Sequence, residues 1–374
     1  MMAAIAEWKG WRAVSGSVAF LIAFYFVYFA ITRPALDWDV VPYTMAILKA
    51  GATSPDGTID VAALHARTWA AIKPHLSPKD FAYLTTSNDY VEAQFFDPAA
   101  LASQLPLYES KYGYIVLLRG VALAVDPVRA IVMVSLVSAL GILALLVHAA
   151  WRLEGIASLA WLPIVLLFQL GSFASMVSPD TIFAFAYVAG IAALLSERLR
   201  LAVFCLLMAA LLRPDGIVLN VFLCCVMAVR GQYRETLVLL AGSLAAYVMN
   251  MLASQHVGWW PQFYFNFVER GNVLTDFRPS FDLGLYLEVV TDQIDRVSHL
   301  AWLHAAVAAV LIAILLLARP VVGRWPGLLL MALLVGAAVR FLLYPSAELR
   351  FYTPHLFGIG LIILHAARPR QGVA

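Results

Sequence analysis

Charged side chains are scarce in this chain, since only 13% of its 374 residues are charged and 63% are hydrophobic. A soluble globular chain has about 25% charged residues and roughly 45–50% apolar ones. The deficit of charge excludes an ordinary soluble protein and indicates a polytopic membrane protein. The net charge of +2 says little about partners, because the distribution of charge across the bilayer is what matters.

Cysteine is also rare, with Cys205, Cys224 and Cys225 all in apolar runs. Two of them are adjacent, and the spacing matches neither a disulfide framework nor a metal site. No pair of histidines shows the spacing of a zinc site, and internal repeats and low-complexity tracts are absent from the sequence. The sequence therefore indicates no cofactor, although it leaves a divalent metal open.

Ten apolar stretches reach or approach the roughly 20 residues that a helix needs to cross a bilayer. They occupy 13–32, 127–150, 155–175, 180–196, 199–212, 217–230, 235–252, 299–318, 326–343 and 350–367. We interpret the first as an uncleaved signal anchor, because no small-x-small cleavage site follows it. A further stretch, 112–125, is too short and carries Arg119 in its middle. It is typical of a re-entrant or interfacial helix.

Basic residues set the predicted orientation. If 112–125 does not cross, every cytoplasmic helix end carries Lys or Arg, which is the positive-inside pattern. These residues are Lys9, Arg12, Arg152, Arg198, Arg200, Arg230, Arg234, Arg319, Arg324, Arg368 and Arg370. The prediction is an all-α polytopic fold with about ten transmembrane helices and both termini in the cytoplasm.

This topology makes residues 1–374 a single transmembrane domain with an outer crown formed by two external loops. The first loop, 33–111, is long, and the second is 253–298. Helical stretches are predicted in the first loop near Val40–Lys49, Ala62–Ile72, Pro78–Tyr90 and Pro98–Gln104.

Most of the acids without an evident structural reason fall at the outer helix ends. They are Asp37, Asp39, Asp180, Asp215 and Glu348, and Arg213, Arg340 and Arg350 lie beside them. Ionisable groups at membrane depth are costly and usually mark a functional cavity. Carboxylates beside arginines suit proton abstraction next to an anion. Taken singly, Asp180 and Asp215 fit helix N-caps as well, and their convergence at one level favours a site.

Four segments occur in a characteristic order along the chain: WDVVPY at 38–43, VSPDTIFAF at 177–185, LLRPDGIVL at 211–219 and ELRFYTPHL at 348–356. This order resembles the GT-C superfamily of membrane glycosyltransferases, which use polyprenyl-phosphate sugars. WDVVPY is similar to the Trp-Asp-x-x-x-Tyr opening of lipid-phosphomannose-dependent mannosyltransferases. The resemblance covers essentially the whole chain. It implies an inverting transfer of a sugar, with mannose the first candidate, to an acceptor hydroxyl on the extracytoplasmic face.

The resemblance also implies roles for individual residues. Asp39, which has the spacing to Tyr43, is the expected general base, and Asp37 is a second acid that holds the base or the acceptor. Arg350 is the first candidate for the donor phosphate, with Arg213 and Arg340 next, because arginine presents paired donors to phosphate oxygens. A supporting substrate site is expected from Glu348, Asp180, Asp215, Tyr43, Tyr352 and His355. Tyr344 and Phe351 suit a flank of the lipid or sugar, which an interfacial aromatic belt explains almost as well.

The expected partners are a polyprenyl-phosphate sugar, a lipid, glycan or protein acceptor, and membrane lipids, without nucleic acid. The expected location is the inner membrane of a bacterium, with the site facing outward.

Three alternatives stay open: a polysaccharide or O-antigen polymerase, a transporter, and a structural membrane subunit. The polymerase is the nearest of these, although such proteins usually place their largest external loop late. A transporter usually places ionisable groups near the midplane, often in two related halves.

Overall fold

The computed structural model describes residues 10–52, 58–255, 258–318 and 324–368. Lys9, Arg319 and Arg370, which the sequence places at cytoplasmic helix ends, lie outside the described residues. Within the described ranges the chain is helical and has no β-strand, although an isolated bridge pairs Ala35 with Met176. The predicted all-helical fold class is therefore confirmed.

Twenty α-helices occur in the described part of the chain, together with three short 3₁₀ helices. The α-helices are α1 (Trp11–Thr32), α2 (Val40–Lys49), α3 (Val61–Ile72), α4 (Pro78–Thr86), α5 (Asp89–Phe96), α6 (Pro98–Ser103), α7 (Leu105–Glu109), α8 (Tyr112–Val121), α9 (Pro127–Trp151), α10 (Trp161–Leu167), α11 (Leu170–Ala174), α12 (Asp180–Leu195), α13 (Leu199–Leu212), α14 (Gly216–Val229), α15 (Tyr233–Ala253), α16 (Trp259–Phe267), α17 (Leu283–Ser298), α18 (Ala301–Leu317), α19 (Arg324–Leu343) and α20 (Thr353–Ala366). The 3₁₀ helices are Lys73–His75, Gly155–Leu159 and Leu349–Tyr352.

Four helices are long and apolar enough to cross a membrane: α1, α9, α15 and α19. The pair α17–α18 makes a fifth candidate, although it bends by 77° at its break. The other predicted spans are apolar but shorter. For example, the 16 residues of α12 extend about 24 Å at the α-helical rise, less than the hydrocarbon core of about 30 Å. These helices indicate a helical membrane protein.

The third predicted span, 155–175, is broken in the structure. It consists of the 3₁₀ turn Gly155–Leu159 followed by α10 and α11. Gln169, between the two α-helices, has the left-handed φ of 53°. Such a residue ends the right-handed helix, because its backbone no longer continues the helical ladder.

The first external loop is helical, as predicted, but its segmentation differs. The predicted single helix Pro78–Tyr90 is two helices, since α4 ends at Thr86 and α5 begins at Asp89. The side chain of Asn88 accepts a hydrogen bond from the backbone N–H of Val91 at 3.0 Å, which caps the new helix.

Several helix ends meet at one end of the bundle. Helix α12 packs against α9, α13 and α20, and α14 packs against α15 and α19. Short turns join α12 to α13, α13 to α14 and α19 to α20, so consecutive helices run in opposite directions. The first residues of α12, α14 and α20 are therefore brought to the last residues of α13 and α19. Helix α2 packs against α9 and begins at the same end.

Candidate active site

Carboxylates and arginines from these helix ends form a continuous network of ion pairs, which we call the acid–arginine cluster. Its members are Asp37, Asp39, Asp180, Asp215, Glu348, Arg213, Arg340 and Arg350. These are the acids and arginines that the sequence places at outer helix ends. Packing brings together residues as far apart in the chain as Asp39 and Arg350, which are 311 positions apart.

Asp39 uses both of its carboxylate oxygens. One accepts a hydrogen bond from Nη1 of Arg350 at 3.1 Å, and the other accepts one from the Tyr108 hydroxyl at 3.2 Å. Nε of Arg350 also lies 2.5 Å from a carboxylate oxygen of Glu348 and 3.9 Å from one of Asp180. The side chain of Glu348 is 58% exposed, against 21% for Arg350. A ligand that binds Arg350 therefore displaces Glu348 at a lower free-energy cost than the other carboxylates.

Asp37 lies beside Asp39 and holds it by a local contact. One carboxylate oxygen of Asp37 accepts a hydrogen bond from the backbone N–H of Asp39 at 3.0 Å. Burial, and then the negative charge of Asp39, raise the pKa of Asp37 to about 7. Asp37 therefore keeps its proton to a higher pH than an ordinary aspartate does.

The inner half of the cluster consists of Arg213, Arg340, Asp180 and Asp215, and its charges are closely paired. The fork of Arg213 meets both oxygens of Asp215, at 2.9 and 3.0 Å, and also donates to Asp180. Nε of Arg340 lies 2.8 Å from Asp215. Burial opposes ionisation of Asp215, but the guanidinium groups of Arg213 and Arg340 hold its pKa well below the usual value. A bidentate pair of this kind fixes the orientation of both partners.

The ring of Phe351 lies between three guanidinium groups. The central carbons of Arg213, Arg340 and Arg350 are 5.3, 5.0 and 5.1 Å from the ring centroid. Cations at these distances are attracted to the face of an aromatic ring. Phe351 thus contacts all three cations, whose charges are balanced by the carboxylates of the cluster.

The cluster acids are not used as helix caps. Asp39 and Asp215 occupy the N-cap positions of α2 and α14, and Asp180 is in the first turn of α12. No side-chain capping bond is formed at these three starts within the described ranges. The capping interpretation of Asp180 and Asp215 is therefore wrong, because their oxygens are engaged by arginine side chains instead.

The supporting residues predicted from the sequence occupy different surroundings. Tyr43 is buried, and its ring meets those of Tyr108 and Tyr114 edge-on at 5.0 and 5.2 Å. Tyr352 donates its hydroxyl to the carbonyl of Ser346 at 2.9 Å and stacks on Trp302. Tyr43 thus packs against Tyr108, the hydrogen-bond partner of Asp39, whereas Tyr352 stabilises the turn before α20.

His355 lies within α20, where it is only 5% exposed. Its two ring nitrogens have no hydrogen-bond partner among the residues that the structure describes, and the ring packs close to Gly336. His355 is therefore a buried neighbour of Arg340 and Asp215, and it forms no ion pair among the described residues.

Two residues, Tyr108 in α7 and Lys111 just before α8, were not singled out from the sequence. Tyr108 binds Asp39, and Lys111 is a further cation beside the cluster, with its Nζ donating to the carbonyl of Leu107 at 2.6 Å. Burial, and then the charge of Arg213, lower the pKa of Lys111 to about 8, although Asp39 and Asp215 oppose this shift. The only sequence signal is the run YESKYGY at 108–114, which ordinary loop composition explains as well.

In the described ranges, no group of three or more His, Cys, Asp or Glu side chains is arranged to hold a metal ion. The carboxylates of the cluster instead face guanidinium groups. Their arrangement offers a proton acceptor, Asp39, next to a planar cation, Arg350, that suits a phosphate.

Comparison with known proteins places the chain in no family. No family model, curated protein or solved structure matches it. The geometry of the acid–arginine cluster and the order of the sequence motifs are therefore the basis for assigning a function.

Proposed function

We propose that the protein is an inverting membrane glycosyltransferase that moves a sugar, with mannose the first candidate, from a polyprenyl-phosphate donor to an acceptor hydroxyl. The observation that carries this proposal is the direct contact between Asp39 and Arg350 at 3.1 Å. The likeness of the motifs assigns Asp39 as the base and Arg350 as the phosphate ligand. These two residues lie on segments that are far apart in the chain. A transferase needs both groups on opposite sides of one bound sugar.

The first step is a change of partner at Arg350. At 3.1 Å the contact with Asp39 leaves no room for a sugar between the two groups, so the donor must separate them. The donor phosphate takes the place of Glu348, which is largely exposed, and of Asp39 on the guanidinium fork. A phosphate accepts paired N–H bonds from arginine as a carboxylate does. Donor binding thereby releases Asp39 from its cation.

The second step is the transfer itself. The acceptor O–H gives its proton to the carboxylate of Asp39 as its oxygen attacks the anomeric carbon. The bond from that carbon to the phosphate oxygen breaks, and the electron pair leaves with the lipid phosphate. Arg350 and Lys111 stabilise the negative charge that develops there. A single displacement of this kind inverts the anomeric configuration.

We assign positioning roles to the rest of the cluster. Asp37 fixes the backbone of Asp39 through the 3.0 Å hydrogen bond. Arg213 and Arg340 are bound to Asp215 and are only 9% and 7% exposed, so they hold the inner half of the cluster. A transporter usually places ionisable groups near the bilayer midplane, whereas these groups lie at helix ends, which favours the transferase.

The proposed topology has ten spans, cytoplasmic termini and an extracytoplasmic cluster. It is supported by the basic residues at the predicted cytoplasmic ends, such as Arg152 and Arg200. After replacement of the native cysteines, Asn272→Cys should react with an impermeant thiol reagent in whole cells. Arg200→Cys should react only after lysis. The reverse labelling pattern would show that the topology is inverted and that the cluster lies on the cytoplasmic face.

The activity is tested with purified protein in lipid nanodiscs and a panel of polyprenyl-phosphate sugars that contains mannose, glucose, arabinose and aminosugars. We expect one donor to raise the melting temperature of the wild type. The same donor should release polyprenyl phosphate when membrane lipid and glycan extracts are supplied as acceptors. Polyprenyl-diphosphate oligosaccharides test the polymerase alternative. Stabilisation by these diphosphates alone, without a response to any monophosphate donor, would contradict the proposal.

A further inference from the structure

A pocket lined by both apolar and charged side chains lies outside the acid–arginine cluster, and the proposed mechanism uses none of its residues. Its volume is about 390 Å³, and its lining includes Lys49, Glu109, Tyr112, Arg119, Leu252 and Gln255. A volume of this size is within the range of small-ligand sites. The pocket is formed between the ends of α2 and α7, the helix α8 and the C-terminal end of α15.

Helix α15 shows where the pocket lies relative to the membrane. It is one of the four span candidates and has 21 residues, a length of about 31 Å that matches the hydrocarbon core. Leu252, in the last turn of this helix, lines the pocket. The pocket therefore lies at a membrane–water boundary, where lipid head groups lie.

The two helices that line the pocket, α8 and α15, also carry exposed apolar side chains. On α8 Val116 is 47% exposed, and on α15 Met249 and Leu252 are 45% and 59% exposed. Exposed apolar side chains on spanning or interfacial helices contact acyl chains. A ligand with a polar head and apolar chains thus matches both the pocket and its surroundings.

The charges of the pocket favour an anionic head. Nζ of Lys49 lies 2.7 and 2.9 Å from the two oxygens of Glu109. Arg119 donates from Nη2 to the carbonyl of Ala46 at 2.8 Å, and its buried Nε has no partner among the residues that the structure describes. A buried donor without an acceptor is unfavourable, and a phosphodiester oxygen supplies that acceptor.

We propose that this pocket binds the phosphate of a membrane phospholipid, with Arg119 and Lys49 as its ligands and the acyl chains along α8 and α15. The bound lipid joins α8 to the end of α15. It thereby holds the segment that carries Tyr108 and Lys111. This inference does not depend on the proposed transferase activity.

Delipidated protein in detergent, titrated with dioleoylphosphatidylglycerol and followed by native mass spectrometry, tests the inference. We expect the wild type to retain one lipid, and Arg119→Gln to weaken its binding about tenfold or more, because a charge-assisted bond is lost. The glutamine side chain is too short to keep the bond to the carbonyl of Ala46, so the melting temperature of each variant without lipid is measured as the check on folding. Arg119→Lys should recover part of the affinity. Arg129→Gln is the matched control, because Arg129 is 71% exposed and outside the pocket, and it should bind as the wild type does.

Dioleoylglycerol, which has the same chains without a phosphate, should not bind at this site. Inorganic phosphate should not displace the phospholipid, because the acyl chains contribute to its binding. The inference is overturned if Arg119→Gln binds the phospholipid with wild-type affinity, if dioleoylglycerol binds equally well, or if inorganic phosphate alone fills the pocket. Should Arg119→Gln fail to fold, a loss of lipid-induced thermal stabilisation in folded Arg119→Lys supports the inference, and full stabilisation overturns it.

Discussion

Two sets of aspartates stand at helix starts in this protein, and they use their side chains differently. The capping set accepts backbone N–H bonds at 2.8–3.1 Å from the following helix; it comprises Asp60, Asp97, Asp126 and Asp282. The cluster set, Asp39, Asp180 and Asp215, binds arginines of distant segments, and Asp215 also pairs with the nearby Arg213. The same local pattern, an acid before a helix, thus has two physical uses. What separates them is whether tertiary packing brings in a guanidinium from a distant segment, since the arginine that contacts the capping Asp126, Arg129, lies only three residues away.

One member of the cluster set, Asp180, also differs from the capping set in burial. The side chain of Asp180 is 3% exposed, whereas that of the capping Asp126 is 31% exposed. A carboxylate as deeply buried as Asp180 is tolerated only with compensating charges. Substitutions matched between the sets should therefore have effects of different size and kind.

The largest effect on stability is expected for Asp180→Ala. It leaves the buried guanidinium of Arg213 with one of its two carboxylate partners missing, and breaking a buried pair costs about 3 kcal/mol. Asp97→Ala, in the capping set, should cost about 1 kcal/mol. Denaturant unfolding in detergent micelles measures both values. Equal losses would show that the cluster is energetically no different from a cap.

Asp39→Asn should lower the rate of sugar transfer about 100-fold or more, because the amide keeps the shape of the side chain but does not accept a proton. Donor binding should persist, since Arg350 is unchanged. Asp37→Asn should be milder, because Asp37 orients the base. Asp60→Asn is the control from the capping set and should transfer at the wild-type rate. Near-wild-type transfer by Asp39→Asn would show that Asp39 is not the base. Near-wild-type transfer by both Asp37→Asn and Asp39→Asn would exclude the proposed transferase mechanism.

Arg350→Lys should weaken donor binding about tenfold, because a point charge replaces a planar fork that makes two parallel bonds. Glu348→Gln should instead strengthen binding, since it removes a competitor for Arg350. Isothermal titration with the donor lipid measures both effects. Arg129→Lys, which changes an exposed arginine paired with the capping Asp126, serves as the control. Unchanged donor affinity in Arg350→Ala would remove Arg350 from the phosphate site.

Asp37 should make stability depend on pH. Folding raises its pKa from 3.8 to about 7, mainly through burial, so the folded state binds more protons than the unfolded state between these values. The contribution is fully present below pH 3.8 and is lost as the pH rises through about 7. The melting temperature should therefore fall between pH 5 and pH 8, and Asp37→Asn should flatten that fall. A pH profile identical to that of the wild type would contradict the shifted pKa.

The smallest effects belong to the capping set. Asp60→Asn should change the free energy of unfolding by at most a few tenths of a kcal/mol, because asparagine caps about as well as aspartate. Asp60→Ala should cost about 1 kcal/mol, and neither change should alter the activity of the folded protein. Loss of activity without loss of stability in Asp60→Asn would extend the functional site into the first external loop.

The segments that were predicted correctly are those governed by local patterns. Apolar runs such as 127–150 and 326–343 predict helices because a spanning helix needs a long apolar surface. The break between α4 and α5 escaped prediction because it depends on Asn88, whose capping bond competes with a continuous helix. Tyr108 and Lys111 escaped because their distance from Asp39 is set by how α7 and α8 pack.

Hydropathy and the positions of the charges are enough to predict a helical membrane protein with acids and arginines at its helix ends, because hydropathy is a local property and charges are excluded from apolar spans. Three features depend on tertiary packing instead: Asp39 pairs with Arg350 across 311 residues, Phe351 contacts three guanidinium groups, and Asp180 and Asp215 are ion-paired and do not cap. An ion pair forms between side chains within about 4 Å. Only the packing of whole helices brings such distant segments to that separation.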